Sequence, residues 1–339
     1  MTEAYSARSL TIDGMEVVEL SDAAHALAVT VAPGIGNMAY RLRSGAEDLL
    51  WFPFDGPGQL QGKPALCGIP FLAPWANRMD GDAYWANGRR YQLNPELGNL
   101  RRDANQKPIH GLLNFSPDWR LVSSGSDAAG AWTSSQLEFA THPALMAQFP
   151  FAHTIHMTHR LADGELQVET CLENHSAEPM PVAIGYHPYF RLPGAPRDQW
   201  RVHLAARDHL LLNNQLIPTG ERRATAGDFS DPHPLSAGPL DDVFSGLARD
   251  PDGLARFWVE AAGRRLTVTY GPLYTVAVIY APAGKDFICF EPMAAITNAF
   301  NLEHAGRYAE LQHVPPGGVW RESFWVQYQA ADRPAGAVS

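Results

Sequence analysis

The chain is poor in cysteine and in positive charge, and it has no long apolar run. Its three cysteines, Cys67, Cys171 and Cys289, are odd in number and widely spread. That pattern argues against a disulfide framework and for reduced, buried thiols. Lysine and arginine total 26 against 36 acidic residues, a formal charge of −10, and doublets such as Arg101-Arg102, Arg222-Arg223 and Arg264-Arg265 stand isolated. Without a basic stripe, no nucleic-acid partner is expected. No apolar stretch approaches the length needed to cross a bilayer, so no membrane partner is expected either. Met1 to Ser9 lacks the basic and apolar regions of a secretory signal, and a cytoplasmic location is the expectation. Helical periodicity is scarce as well; only residues 143–149 suggest a short helical turn.

Turn formers are plentiful instead, with 29 glycines and 27 prolines among 339 residues. Between them lie strand patterns. Glu165 to Glu173 alternates apolar and polar almost without fault, and residues 151–161 carry Phe151, Ile155, Met157 and Leu161 on one parity. Asp163-Gly164 supplies the hairpin turn between the two. Further strands are readable at 26–31, 200–204, 256–259, 266–269, 274–280, 287–290 and 323–328. Strands in succession with little helix predict an all-β protein, an antiparallel sandwich. No linker divides the chain, so one domain over residues 1–332 is expected, with 333–339 as a frayed tail and 228–240 as a surface loop.

Several spellings have a structural explanation. Gly34-Ile35-Gly36-Asn37-Met38-Ala39 spells a dinucleotide fingerprint, but Ser44-Gly45 interrupts the helix that motif requires, which favours a tight turn between strands. His153, His156 and His159 suggest metal ligands. On a strand, though, His156 faces away from the other two, and those two stand roughly 20 Å apart, too far for one ion. No metal and no cofactor is expected.

More informative are His187 and Glu291, each followed by proline at the end of an apolar segment. They are the two commonest side chains for moving protons near neutral pH, and the residue before proline is biased to extended backbone, so both are expected at strand ends. Asn77-Arg78 places an amide beside a guanidinium after a Pro-broken apolar loop, either a set of donors for hydroxyl groups or a structural ion pair. His110-Gly111 suits close approach of a ligand or a buried structural histidine equally. Asp241-Asp242, ahead of Val243-Phe244, reads by itself as a capped turn.

Together these positions resemble the aldose 1-epimerases, or galactose mutarotases, over nearly the whole length. The ordered matches are Asn77-Arg78 with Gly81, Gly88 and Tyr91-Gln92-Leu93; Ile109-His110-Gly111; Leu166-Gln167-Val168 with Asn174; Met180-Pro181; His187-Pro188-Tyr189-Phe190; Pro218-Thr219-Gly220-Glu221; Leu240-Asp241-Asp242-Val243-Phe244; and Glu291-Pro292 with Asn298. Leu112 stands where members often show a second glycine after the His-Gly pair. The resemblance implies a large two-sheet β-supersandwich. It also implies a cofactor-free isomerase that interconverts the α and β anomers of a free aldohexose such as glucose or galactose. By the same resemblance Glu291 is the general base and His187 the general acid, while Asn77, Arg78, His110 and Asp242 bind the sugar. The expected partner is a monosaccharide, and the expected assembly a monomer or homodimer. Two alternatives stay open: a hexose 6-phosphate epimerase, which needs clustered Arg or Lys for the phosphate, and a non-catalytic carbohydrate-binding protein. The −10 charge favours neutral sugars.

Overall fold

The computed structural model describes residues 4–330, and the tail from 333 lies outside them. Two large sheets dominate. One has nine strands, built around the hairpin His153–Ala162 and Glu165–Asn174 and the long strand Val319–Gln329. The other has eight, including Leu240–Leu247, Val276–Ala281, Ile288–Met293, Gly185–Tyr186 and Tyr189–Phe190. A five-stranded N-terminal sheet covers residues 5–48, and every paired strand is antiparallel to its neighbour.

The turns explain the register. Asp163 and Gly164 have φ of 51° and 74°, Asn87 and Gly88 49° and 72°, and Ala262 and Gly263 50° and 73°. Consecutive positive φ values give the hairpin twist that matches flanking strands. The Gly34–Gly36 segment is likewise a turn, between Leu27–Ala32 and Met38–Ser44. His153 and His159 face the interior while His156 lies on the outer side beside Glu173, as period two requires. The segment 143–148 is a short helix. The stretch 228–240 is less irregular than expected, because His233–Pro234 forms an edge strand beside Arg201–His203.

The two sheets pack face to face over one apolar core. Tyr186 of the eight-stranded sheet lies 4.8 Å, centroid to centroid, from Phe324 of the nine-stranded sheet, and Phe290 lies 6.4 Å from Phe257. Both sheets therefore turn alternate residues inward, and the opposite parity of the eight-stranded sheet is left for chemistry. The three cysteines are buried and unpaired. Among the described residues, no helix is long and apolar enough to cross a membrane.

Candidate active site

Phe290 points into the core, so Cys289 and Glu291, its neighbours on the strand, point to the outer face of the eight-stranded sheet. Cross-strand partners share a face. Tyr280 pairs with Cys289, and Asp241 pairs with Tyr280, so Asp241, Tyr280, Cys289 and Glu291 occupy one side. Tyr189, opposite Cys289, extends the row.

His187 reaches this row from the bend between Gly185–Tyr186 and Tyr189–Phe190, where its N–H donates to the Pro70 carbonyl at 3.1 Å. Its ring stacks on Tyr189 with centroids 4.6 Å apart. Its Nε2 lies 3.3 Å from Oε1 of Glu291, and both side chains are almost wholly buried. His187 sits at a strand end, as the following proline suggested. Glu291 does not; it lies within Ile288–Met293, with Pro292 paired to Ala277 in the same ladder.

The second wall is a clamp of loops. Met79 donates to the Pro108 carbonyl and His110 to the Asn77 carbonyl, at 2.8 and 2.9 Å, and Asn298 donates to the Arg78 carbonyl at 2.9 Å. Asn77, His110 and Asn298 all hold positive φ, of 54°, 63° and 61°, a strained setting for residues with a side chain. Gly111 permits the closest approach: a Cβ there would stand 2.1 Å from the Ala73 carbonyl oxygen. The clamp brings His110 within 5.4 Å of His187, ring to ring. Arg78 bonds Asp103 through Nε at 2.7 Å, leaving its terminal nitrogens as donors. The ion pair thus engages only part of the guanidinium.

Burial sets the electrostatics. It pushes the Glu291 carboxyl well above the usual range, with Asp241 adding to the rise and Arg78 opposing it. It pushes His187 down to about 3, helped by Arg101 and Arg78, and drives His110 well below its ordinary value, with His187 and Arg101 contributing. A second proton on the pair is disfavoured, and so is removal of the last one. Over a wide pH range His187 and Glu291 therefore hold a single proton between them. Nδ1 of His110, Nδ1 of His187 and Oε2 of Glu291 are buried without a hydrogen-bond partner in the protein. These three atoms converge on one place, where a bound hydroxyl or water would satisfy them.

Asp242 does not join the site. It pairs with Ile279, on the face that carries Phe290 and Phe244, and its Oδ1 lies 3.1 Å from Nε2 of His209. A shift of one residue along a strand inverts the face, so Asp241 occupies the position expected of Asp242. The parity of Phe244, a core residue, is the signal in the sequence that distinguishes them. Arg101 and Tyr280 also belong to the surroundings of His187; nothing in their local spelling marks them. A cavity of about 880 Å³ beside Trp258 and Trp325 of the nine-stranded sheet is a separate feature that includes none of these residues.

This architecture is that of the galactose mutarotase-like proteins. The structure of one from Clostridium acetobutylicum is 20% identical with a TM-score of 0.84, the match covering 95% of this chain and 98% of that one. Galactose 1-epimerase from Lactobacillus acidophilus NCFM is 16% identical with a TM-score of 0.72, covering 96% and 99%. The sequence matches the aldose 1-epimerase family over residues 39–327, and the chain belongs to that family. YphB of Escherichia coli K12, an uncharacterized protein, is 29% identical over 274 residues, 78% of this chain and 85% of YphB.

Proposed function

We propose that the protein is an aldose 1-epimerase that interconverts the α and β anomers of a free aldohexose such as glucose or galactose. The observation that carries this reading is the His187–Glu291 pair, 3.3 Å apart and drawn from distant stretches of chain onto one sheet face. Membership of the family supports an isomerase.

The pair's single proton suits the reaction once it sits on His187; burial favours it on Glu291, so the ion-paired tautomer is the reactive, less populated form. From that form, with Glu291 ionised and His187 protonated, the carboxylate takes the proton of the C1 hydroxyl. The C1–O5 bond breaks with its electron pair passing to O5, which takes the proton of His187, and C1 becomes an aldehyde carbon. Rotation about C1–C2 presents the other face, and the same transfers in reverse close the ring. Arg78 favours the ionised carboxylate, since its charge opposes the upward shift of Glu291. A positioned acid or base contributes about 10²–10⁴-fold each, and Arg78, Asn77, His110 and Asp241 hold the sugar hydroxyls so that C1 stays within reach. No step calls for a cofactor.

The test is polarimetry of freshly dissolved α-glucose and α-galactose with wild-type protein and Glu291→Gln. Faster decay of optical rotation with the wild type, and a near-complete loss in the variant, is expected. Saturable sugar binding with no acceleration would instead make the protein a carbohydrate-binding module and overturn the reading.

A further inference from the structure

The cavity beside Trp258 and Trp325 lies on the outer face of the nine-stranded sheet, with the whole core between it and Glu291. Phe257, Val259, Leu266, Val268, Phe324 and Val326 are almost wholly buried and turn inward, so the residues between them face out. Register makes a grid of the outer ones. Trp258, Thr267, Gln327 and Glu165 share one rung across four strands, and Thr269 and Trp325 pair on the next rung of the same face. All six line the cavity of about 880 Å³. A second cavity of about 620 Å³ shares Arg265 and Gln329 with it, so the two form one trough along the sheet. The arginines of the first cavity are spent within the protein. Arg256 pairs with Asp250 and Asp252, and Arg265 with Glu260. Arg249 donates to the carbonyls of Gly253, Gly271, Pro272 and Tyr274. By contrast, the side chains of Thr267, Thr269, Gln327 and Glu165 make no hydrogen bond among the described residues, although Thr269 is only 7% exposed. The indole of Trp258 is held from both sides. His203 stacks on it with centroids 5.2 Å apart, and the Arg265 guanidinium on the other flanking strand stands 4.2 Å from its centroid. Trp325 is half-buried and has no aromatic or cationic neighbour among the described residues.

We propose that this trough is a second saccharide site, remote from the His187–Glu291 pair, which binds a chain of neutral sugars across the outer face of the sheet. A pyranose carries hydroxyls around its rim and C–H groups on its faces. Trp325 offers an apolar plate for a sugar face, while the threonine hydroxyls, the Gln327 amide and the Glu165 carboxylate supply donors and acceptors for hydroxyls. These groups recur at the strand spacing of about 4.8 Å, close to the width of one sugar ring. The first cavity alone falls in the usual range of about 300–1,000 Å³ for ligand sites, and its continuation past Arg265 and Gln329 suits several linked rings rather than one. An anionic chain is disfavoured, because the arginines of the first cavity already hold partners while Glu165 forms no ion pair among the described residues. A protein partner is disfavoured as well. Interface cores are apolar, and the exposed large apolar side chains Leu10, Leu97, Val122 and Val319 all lie outside the trough. The site is independent of anomerisation, since it shares no residue with the catalytic face.

The experiment is isothermal titration calorimetry of the full chain with maltohexaose, cellohexaose and mannohexaose, each as its methyl glycoside so that anomerisation adds no heat. Oligogalacturonate of the same length serves as the anionic comparison, and each titration is repeated in excess galactose to occupy the catalytic cleft. At least one neutral hexasaccharide is expected to bind, more tightly than oligogalacturonate and equally well with galactose present. Trp325→Ala should weaken that binding by about tenfold or more and Thr269→Val by severalfold, while glucose anomerisation stays at the wild-type rate. Should Trp325→Ala fail to fold, Gln327→Ala, at an exposed position, carries the same test. Binding of none of the neutral chains at millimolar concentration overturns the site. So does affinity unchanged in both Trp325→Ala and Gln327→Ala, or tighter binding of oligogalacturonate. A hexasaccharide displaced by galactose belongs to the catalytic cleft and overturns it too.

Discussion

Replacing Asp241 and Asp242 by asparagine one at a time gives two neighbouring substitutions with unrelated consequences. Asp241 shares the outer face with Glu291, whereas Asp242 lies 3.1 Å from His209 on the other. A hydrogen bond from a sugar hydroxyl to a carboxylate is worth about 1.5–3 kcal/mol net. Asp241→Asn should therefore lower kcat/KM for anomerisation by about 10–100-fold with the thermal midpoint nearly unchanged. Asp242→Asn should leave kcat/KM near wild type and lower stability by about 1 kcal/mol, roughly 2 °C in Tm. That loss depends on pH in a defined sense. The proton affinity of His209 is raised above its ordinary 6.5, first by its bond to Asp242 and then by Asp228. A raised histidine stabilises the fold fully below the unfolded value and loses that contribution as pH climbs through the folded one. The difference in Tm between wild type and Asp242→Asn should be largest near pH 6 and shrink by pH 9. Polarimetric kinetics beside calorimetric melts at the two pH values decide the matter. A raised KM in Asp242→Asn with normal kinetics in Asp241→Asn would refute the facing of the strand and the reasoning built on it.

Three further outcomes are expected. His187→Asn should cost about 10²–10⁴-fold in kcat, since it removes a positioned acid; a rate within threefold of wild type in the polarimeter excludes that role. The pH profile of kcat/KM should stay flat well below 6.5, because burial pushes His187 down to about 3 and a second proton reaches the pair only in strong acid; an acid limb centred near 6.5 contradicts a shared single proton. Gly111→Ala should destabilise by about 1–3 kcal/mol, since φ is 66° and the new methyl meets the Ala73 carbonyl oxygen; urea denaturation with an unchanged midpoint dismisses that constraint.

The strands that alternate cleanly, such as Glu165–Asn174, were legible because one face is buried and the other wet, and their turns carry Asp-Gly or Asn-Gly. The strands Tyr5–Ile12 and Met15–Asp22 went unread, the first being largely exposed with too weak a contrast between its faces. His187 and Glu291 could be singled out by residue type and the following proline, although proline placed only His187 at a strand end. Motif spelling does not carry parity, and strand register puts Asp241 rather than Asp242 on the face of Glu291.

The row Asp241, Tyr280, Cys289 and Tyr189 crosses four strand segments at matching rungs. Evolution can therefore lengthen the connection between Ala281 and Ile288 at little risk. One extra residue inside either adjoining strand, by contrast, would swap every reactive group downstream of it with its greasy neighbour. The chemistry is stored as odd and even, and the joints are where added length leaves it intact.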